Sequence, residues 1–176
     1  MAVWRLESNI DYYGLGLIYD SDAKVTTRFI GESFGQKWRP LLVELIQHKG
    51  AELGNFLNLS PGILVCDQVA LEIIEPLISA SVEVLPLQCE SGSFWAINVT
   101  NIVDCLDRSS SEFEYLASGN LKRISRYVFK SNCVENEPIF KIPERRGKEI
   151  FVLDDFKQLV ESNGLKGLTF RKVWEE

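Results

Sequence analysis

PGILVCDQVALEIIEPLISASVEVLPL, residues 61–87, holds a branched run at 63–66, a polar stop at Asp67, a helical stretch and a second branched run at 82–87. Asp67 suits an N-cap, because its short side chain can accept from an unpaired N–H of the first helical turn. Behind it, Val69, Ile73, Ile74, Leu77 and Ile78 predict an apolar helix face, with Glu72 and Glu75 toward solvent. Pro76 lacks an N–H and its ring opposes the fourth preceding carbonyl, so the helix is expected to kink or end there unless its last turn opens. The stretch reads as strand, capped helix, strand, and it contains none of the residues that chemistry usually needs.

Outward from it, short runs of branched and aromatic residues predict many strands: 3–7, 12–19, 41–46, 55–59, 94–99, 124–130, 139–142, 149–152 and 168–174. A second helix is expected to begin at Asp154 or Asp155, to bury Phe156, Leu159 and Val160, and to stop at Asn163-Gly164, where glycine supplies a left-handed C-cap. Pro86 removes one ladder donor from VEVLPL and marks it as an edge strand. Residues 106–120, LDRSSSEFEYLASGN, are open to three readings: loop, short helix or exposed contact surface. The expected fold is α+β: a single domain over 1–176, largely antiparallel sheet of short strands with two main helices. HKGAELG at 48–54 marks a possible small N-terminal lobe, 1–48.

A chain of 176 residues can bury a full core without disulfides or metal. Its net charge of −6 repels phosphate backbones on average and favours encounter with a basic partner. Cys66, Cys89, Cys105 and Cys133 form no CxxC pair and have only His48 to join them, so reduced, partly buried thiols are expected and no metal site. The first residues lack the continuous apolar segment of a secretory signal, and no apolar run approaches the roughly 20 residues that span a bilayer. The expected location is the cytoplasm.

NIVDCLDRS, residues 101–109, is similar to the signature of the Sac-type phosphoinositide phosphatases, which implies a nucleophilic cysteine six positions before a phosphate-binding arginine. Six before Arg108 stands Ile102, and Cys105 is only three away, too tight to wrap a phosphate. Asp104 and Asp107 are expected instead to shape a turn, with Arg108 pairing one of them. Lys122, Arg123, Arg126 and Lys130 interleave with Tyr127 and Phe129, a pattern that could hold bases and phosphates, but a half-buried strand with its charges outward is the stronger reading. The run 144–148, ERRGK, reads as a solvated turn.

The order of Ala70 to Leu77, Val82 to Leu87, Asn98-Val99 followed by Asp104 and Asp107, and GLKGLTFRKVW from Gly164 to Trp174 resembles a bacterial polymorphic-toxin immunity family, long catalogued as a domain of unknown function. That resemblance implies a non-catalytic protein without cofactor or metal that binds and neutralises a cognate toxin encoded by an adjacent gene. Neither nucleic acid nor membrane is an expected partner. It assigns no contact residues; exposed acids such as Glu112 and Glu114 are the candidates. A small hydrolase built on Asp107, Arg108 and a distant carboxylate, or a scaffold or regulatory protein with another partner, are the alternative readings.

Overall fold

The computed structural model describes residues 1–176. Along the chain run β1 (Ala2–Ser8), β2 (Gly14–Leu17), α1 (Ala23–Thr26), β3 (Val43–Ile46), β4 (Phe56–Asn58), β5 (Leu64–Asp67), α2 (Gln68–Ile78), β6 (Val82–Pro86) and β7 (Phe94–Val99). There follow β8 (Glu112–Tyr115), β9 (Leu121–Arg126), α3 (Ser131–Val134), β10 (Ile139–Phe140), β11 (Phe151–Leu153), α4 (Asp154–Ser162) and β12 (Leu168–Glu175). The fold is α+β. Its strands pair antiparallel in a six-stranded sheet (β3-β2-β4-β5-β7-β6), a four-stranded sheet (β10-β11-β1-β12) and a β8-β9 ribbon, with one parallel pairing, β2 with β4.

The six-stranded sheet closes on itself. Beyond β6, Gln88 O accepts from Val43 N at 2.9 Å and Gln88 N donates to Leu41 O at 2.9 Å, joining the two edges. Side-chain alternation then divides inside from outside. Leu57, Val65, Leu85, Phe94 and Ala96 pack inside with Phe29 and Phe34, whereas Phe56, Leu64, Cys66, Ile97 and Val99 face outward. Glu83 ties the loop before β3 to this sheet, accepting from Ser33 Oγ, Phe34 N, Gly35 N and Asn98 Nδ2. Burial works against its carboxylate, but these donors hold it below the usual glutamate range.

Helices α2 and α4 lie between the closed sheet and the four-stranded sheet. Ala70, Leu71, Ile74 and Ile78 of α2 meet Phe156 and Val160 of α4 in one cluster that also takes Ile150 and Val152. The far face of the four-stranded sheet buries Val3, Phe140, Phe151 and Leu153 against Cys105, Leu106, Tyr127 and Phe129. Asp67 caps α2, its carboxylate accepting from Ala70 N at 2.8 Å, and α4 ends at Asn163 before Gly164 at φ +64°. The four thiols are free, with Cys66 and Cys105 buried and Cys89 and Cys133 half-buried.

Three local expectations are corrected. Val69 is 56% exposed, because the buried stripe of α2 runs through Ala70, Ile74 and Ile78 and turns Val69 outward. Pro76 does not end α2, which continues to Ile78 with Ser79 N bonded to Glu75 O; in the last turn the proline forfeits one ladder bond while Ile74 and Ile78 stay anchored. The strand expected at 124–130 is displaced to Leu121–Arg126, and its partner Glu112–Tyr115 falls in the stretch with three open readings.

Candidate interaction surface

Loop 101–110 follows β7 and crosses the far side of the four-stranded sheet, with Val103 N bonded to Lys141 O and Lys130 N to Cys105 O. Asp107 closes its turn: one carboxylate oxygen accepts from Ser109 N, Ser109 Oγ and Ser110 N, and the other from Ser110 Oγ. The hydroxyls of Ser109 and Ser110 bring its pKa down to about 2. A carboxylate so acidic is a poor general base near neutral pH. Arg108 donates to Asp104 Oδ1 at 2.7 Å and lies 2.6 Å from Glu144 Oε1, so two carboxylates engage its guanidinium. The Cys105 side chain is buried, and burial above all raises its pKa to about 12, which keeps it a thiol.

The β8-β9 ribbon carries the acids singled out from sequence. Glu114 accepts from Arg123 at 2.5 Å and Glu112 lies 3.7 Å from Arg126, so both face cations across the ribbon. The hydrogen bond from Arg123 lowers the Glu114 pKa. The tip is apolar: Tyr115 is 61% and Leu116 49% exposed, beside the turn at Gly119 with φ +82°. Tyr127 and Phe129 are buried, their rings 6.0 Å apart and both against Phe151, so they cannot receive bases.

Two hollows differ in sign. One, of about 540 Å³ between the end of α2 and the turn before β10, includes Leu77, Asn101, Glu135, Glu137 and Asp155 and no cation. The other, of about 660 Å³, lies where β1 ends against the 57–64 turn and holds Arg5, Arg123, Arg145 and Lys148 with Glu7 and Glu149. Its floor is a buried charge network. Glu149, 8% exposed, accepts from Tyr127 Oη at 2.7 Å, Arg145 Nε at 3.1 Å and Arg5 Nη1 at 3.4 Å. Burial, and then the neighbouring Glu149 carboxylate, raises the Tyr127 pKa.

Of the residues singled out beforehand, the structure gathers Asp104 and Arg108 with Glu144 and leaves His48 outside this group. Glu144, Tyr127, Glu149 and Lys148 carried no sequence signal for these associations, since the partners lie in distant segments.

A sequence model of immunity proteins matches residues 84–175, from within β6 to the end of β12. The chain belongs to the immunity protein family (Imm11). No curated protein matches it. No helix is long and apolar enough to cross a membrane.

Proposed function

We propose that this chain acts in the cytoplasm as one immunity-type domain that binds a cognate toxin, encoded by an adjacent gene, and neutralises it by contact without turning over a substrate. Membership of the immunity family carries the reading. The β8-β9 ribbon lies wholly inside the matched segment and presents Tyr115 and Leu116 to solvent. An aromatic beside an aliphatic side chain can supply the buried anchors that dominate most protein interfaces. The acidic hollow of Glu135, Glu137 and Asp155 adds a short-range match for basic side chains, and the net charge of −6 adds steering toward a basic toxin.

Growth rescue tests the reading. The adjacent gene product is expressed in a sensitive host with and without this chain, and a complex is sought by co-purification. Rescue with a stable complex is expected; undiminished toxicity without a complex rejects the pairing. In that complex, replacing Tyr115 and Leu116 together by alanine and serine is expected to weaken binding about tenfold or more, on the scale of losing one interface anchor. Titration calorimetry reads the effect, and an unchanged dissociation constant removes the ribbon tip from the interface.

A further inference from the structure

Two turns meet at the seam between the closed sheet and the four-stranded sheet, and backbone contact fixes both. At Gly62, with φ +77°, a Cβ would stand 2.8 Å from Gly147 O. From below, Lys141 Nζ donates to Gly62 O at 2.9 Å. The second turn is closed by Lys148 N and Glu149 N, both bonded to Arg145 O. Lys148, whose backbone N–H is bonded in this turn, lines the 660 Å³ hollow.

The charges in the hollow are unequally matched. Arg5 has Glu7 and Glu149, Arg145 shares Glu149, and Arg123 has Glu114, whereas the ammonium of Lys148 has no carboxylate within 4 Å. An adjoining hollow of about 520 Å³ shares Ser60, Pro61, Arg145 and Lys148 with it and adds Arg146, which has no carboxylate within 4 Å, and Glu144, which pairs with Arg108. On a chain of net charge −6, the 660 Å³ hollow is lined by four cations, Arg5, Arg123, Arg145 and Lys148, against two carboxylates, Glu7 and Glu149.

We propose that this seam receives a carboxylate-bearing loop of the toxin, with Lys148 as its charge partner and Arg123 at the rim; the proposal rests on the immunity reading. Charge complementarity selects the occupant. A hollow of this size takes a few side chains, and docking would strip water from the Lys148 ammonium, which strengthens its attraction to a carboxylate. An extended polyanion fits less well, because beyond the seam it meets the field of a chain at −6.

The test measures the affinity of the full chain for the toxin by calorimetry, comparing wild type, Lys148→Glu and Lys37→Glu. The last makes the same charge change at an exposed lysine outside both hollows. Lys148→Glu is expected to raise the dissociation constant tenfold or more with an unchanged Tm, and Lys37→Glu less than twofold. Equal weakening by both, or by neither, overturns the seam as the docking place while the immunity reading stands. A wild-type chain that does not bind the toxin rejects that reading and the seam proposal with it. A single-stranded RNA oligonucleotide serves as the competing probe: saturable binding abolished by Lys148→Glu would assign the seam to a polyanion and overturn the proposal.

Discussion

Gly167→Ala is expected to remove a large share of the stability of the fold. Gly167 has φ +111°, and a Cβ there would lie 2.2 Å from Phe56 O and 3.0 Å from Phe56 C, backbone atoms that cannot rotate away. Phe56 itself is 1% exposed and packs in the cluster shared by both helices. Next to the glycine, Lys166 O accepts from both Asn55 N and Phe56 N, so the approach is set by two hydrogen bonds as well as by packing. Relief requires separating β4 from the segment that leads into β12. The loss is expected at about 3–5 kcal/mol, the range of severe single substitutions, against a typical total of about 5–15 kcal/mol. For a chain of this size that lowers Tm by roughly 10 °C or more. Gly164→Ala is the control. It also has positive φ, +64°, but its Cβ would meet nothing within 4 Å, so only the left-handed penalty of about 1–2 kcal/mol applies. Urea unfolding of the two variants should separate them clearly; equal midpoints would mean that the contact with Phe56 does not constrain the fold.

GLKGL shows how far the sequence could be read. The left-handed stop at Gly164 follows from a local rule, since Asn-Gly after an amphipathic stretch ends a helix. The need for glycine at 167 depends on a strand 111 residues earlier and leaves no local trace. Most strands were legible because alternation and branched side chains sit within a single run. The ribbon was not: EFEY alternates, but its strand is half-exposed and flanked by serines and a polar turn, so no buried face distinguishes it. Closure of the six-stranded sheet was equally hidden, because it depends on Gln88 meeting Leu41 and Val43 across an intervening segment that holds β4, β5, α2 and β6. The candidate surface was the least readable part. Arg108 with Asp104 follows from a four-residue spacing, whereas Glu144, the network on Glu149 and the seam under Lys148 assemble from segments up to 144 residues apart.

Lys141 gives the chain a stability that should rise with pH above neutrality. It stands in IFKI, where alternation would send it to solvent, yet it is fully buried and donates to Phe29 O at 2.6 Å and Gly62 O at 2.9 Å with no carboxylate within 4 Å. Burial brings its pKa down from 10.5 to about 8. Between those values the unfolded chain carries a proton that the native protein has released, so stability increases with pH there, by at most about 1.4 kcal/mol per unit. The neutral amine keeps both carbonyls satisfied. The opposite limb comes from thiols and a phenol. Burial raises the pKa of Cys66 and Cys105 above 9.0, and burial with Glu149 raises Tyr127 above 10.0, so each stays protonated in the native state while the unfolded chain ionises. Their contribution is complete below their unfolded pKa values and is lost as pH climbs past them. Maximum stability is therefore expected near pH 9. Lys141→Met removes the titrating ammonium and leaves Phe29 O and Gly62 O without their donor. Its stability deficit relative to wild type should grow by about 2 kcal/mol between pH 7 and 9.5, the integral of the lysine shift over that interval. Urea unfolding of both proteins across this range measures it, and a pH-independent deficit would show that Lys141 does not release its proton on the alkaline side of neutrality.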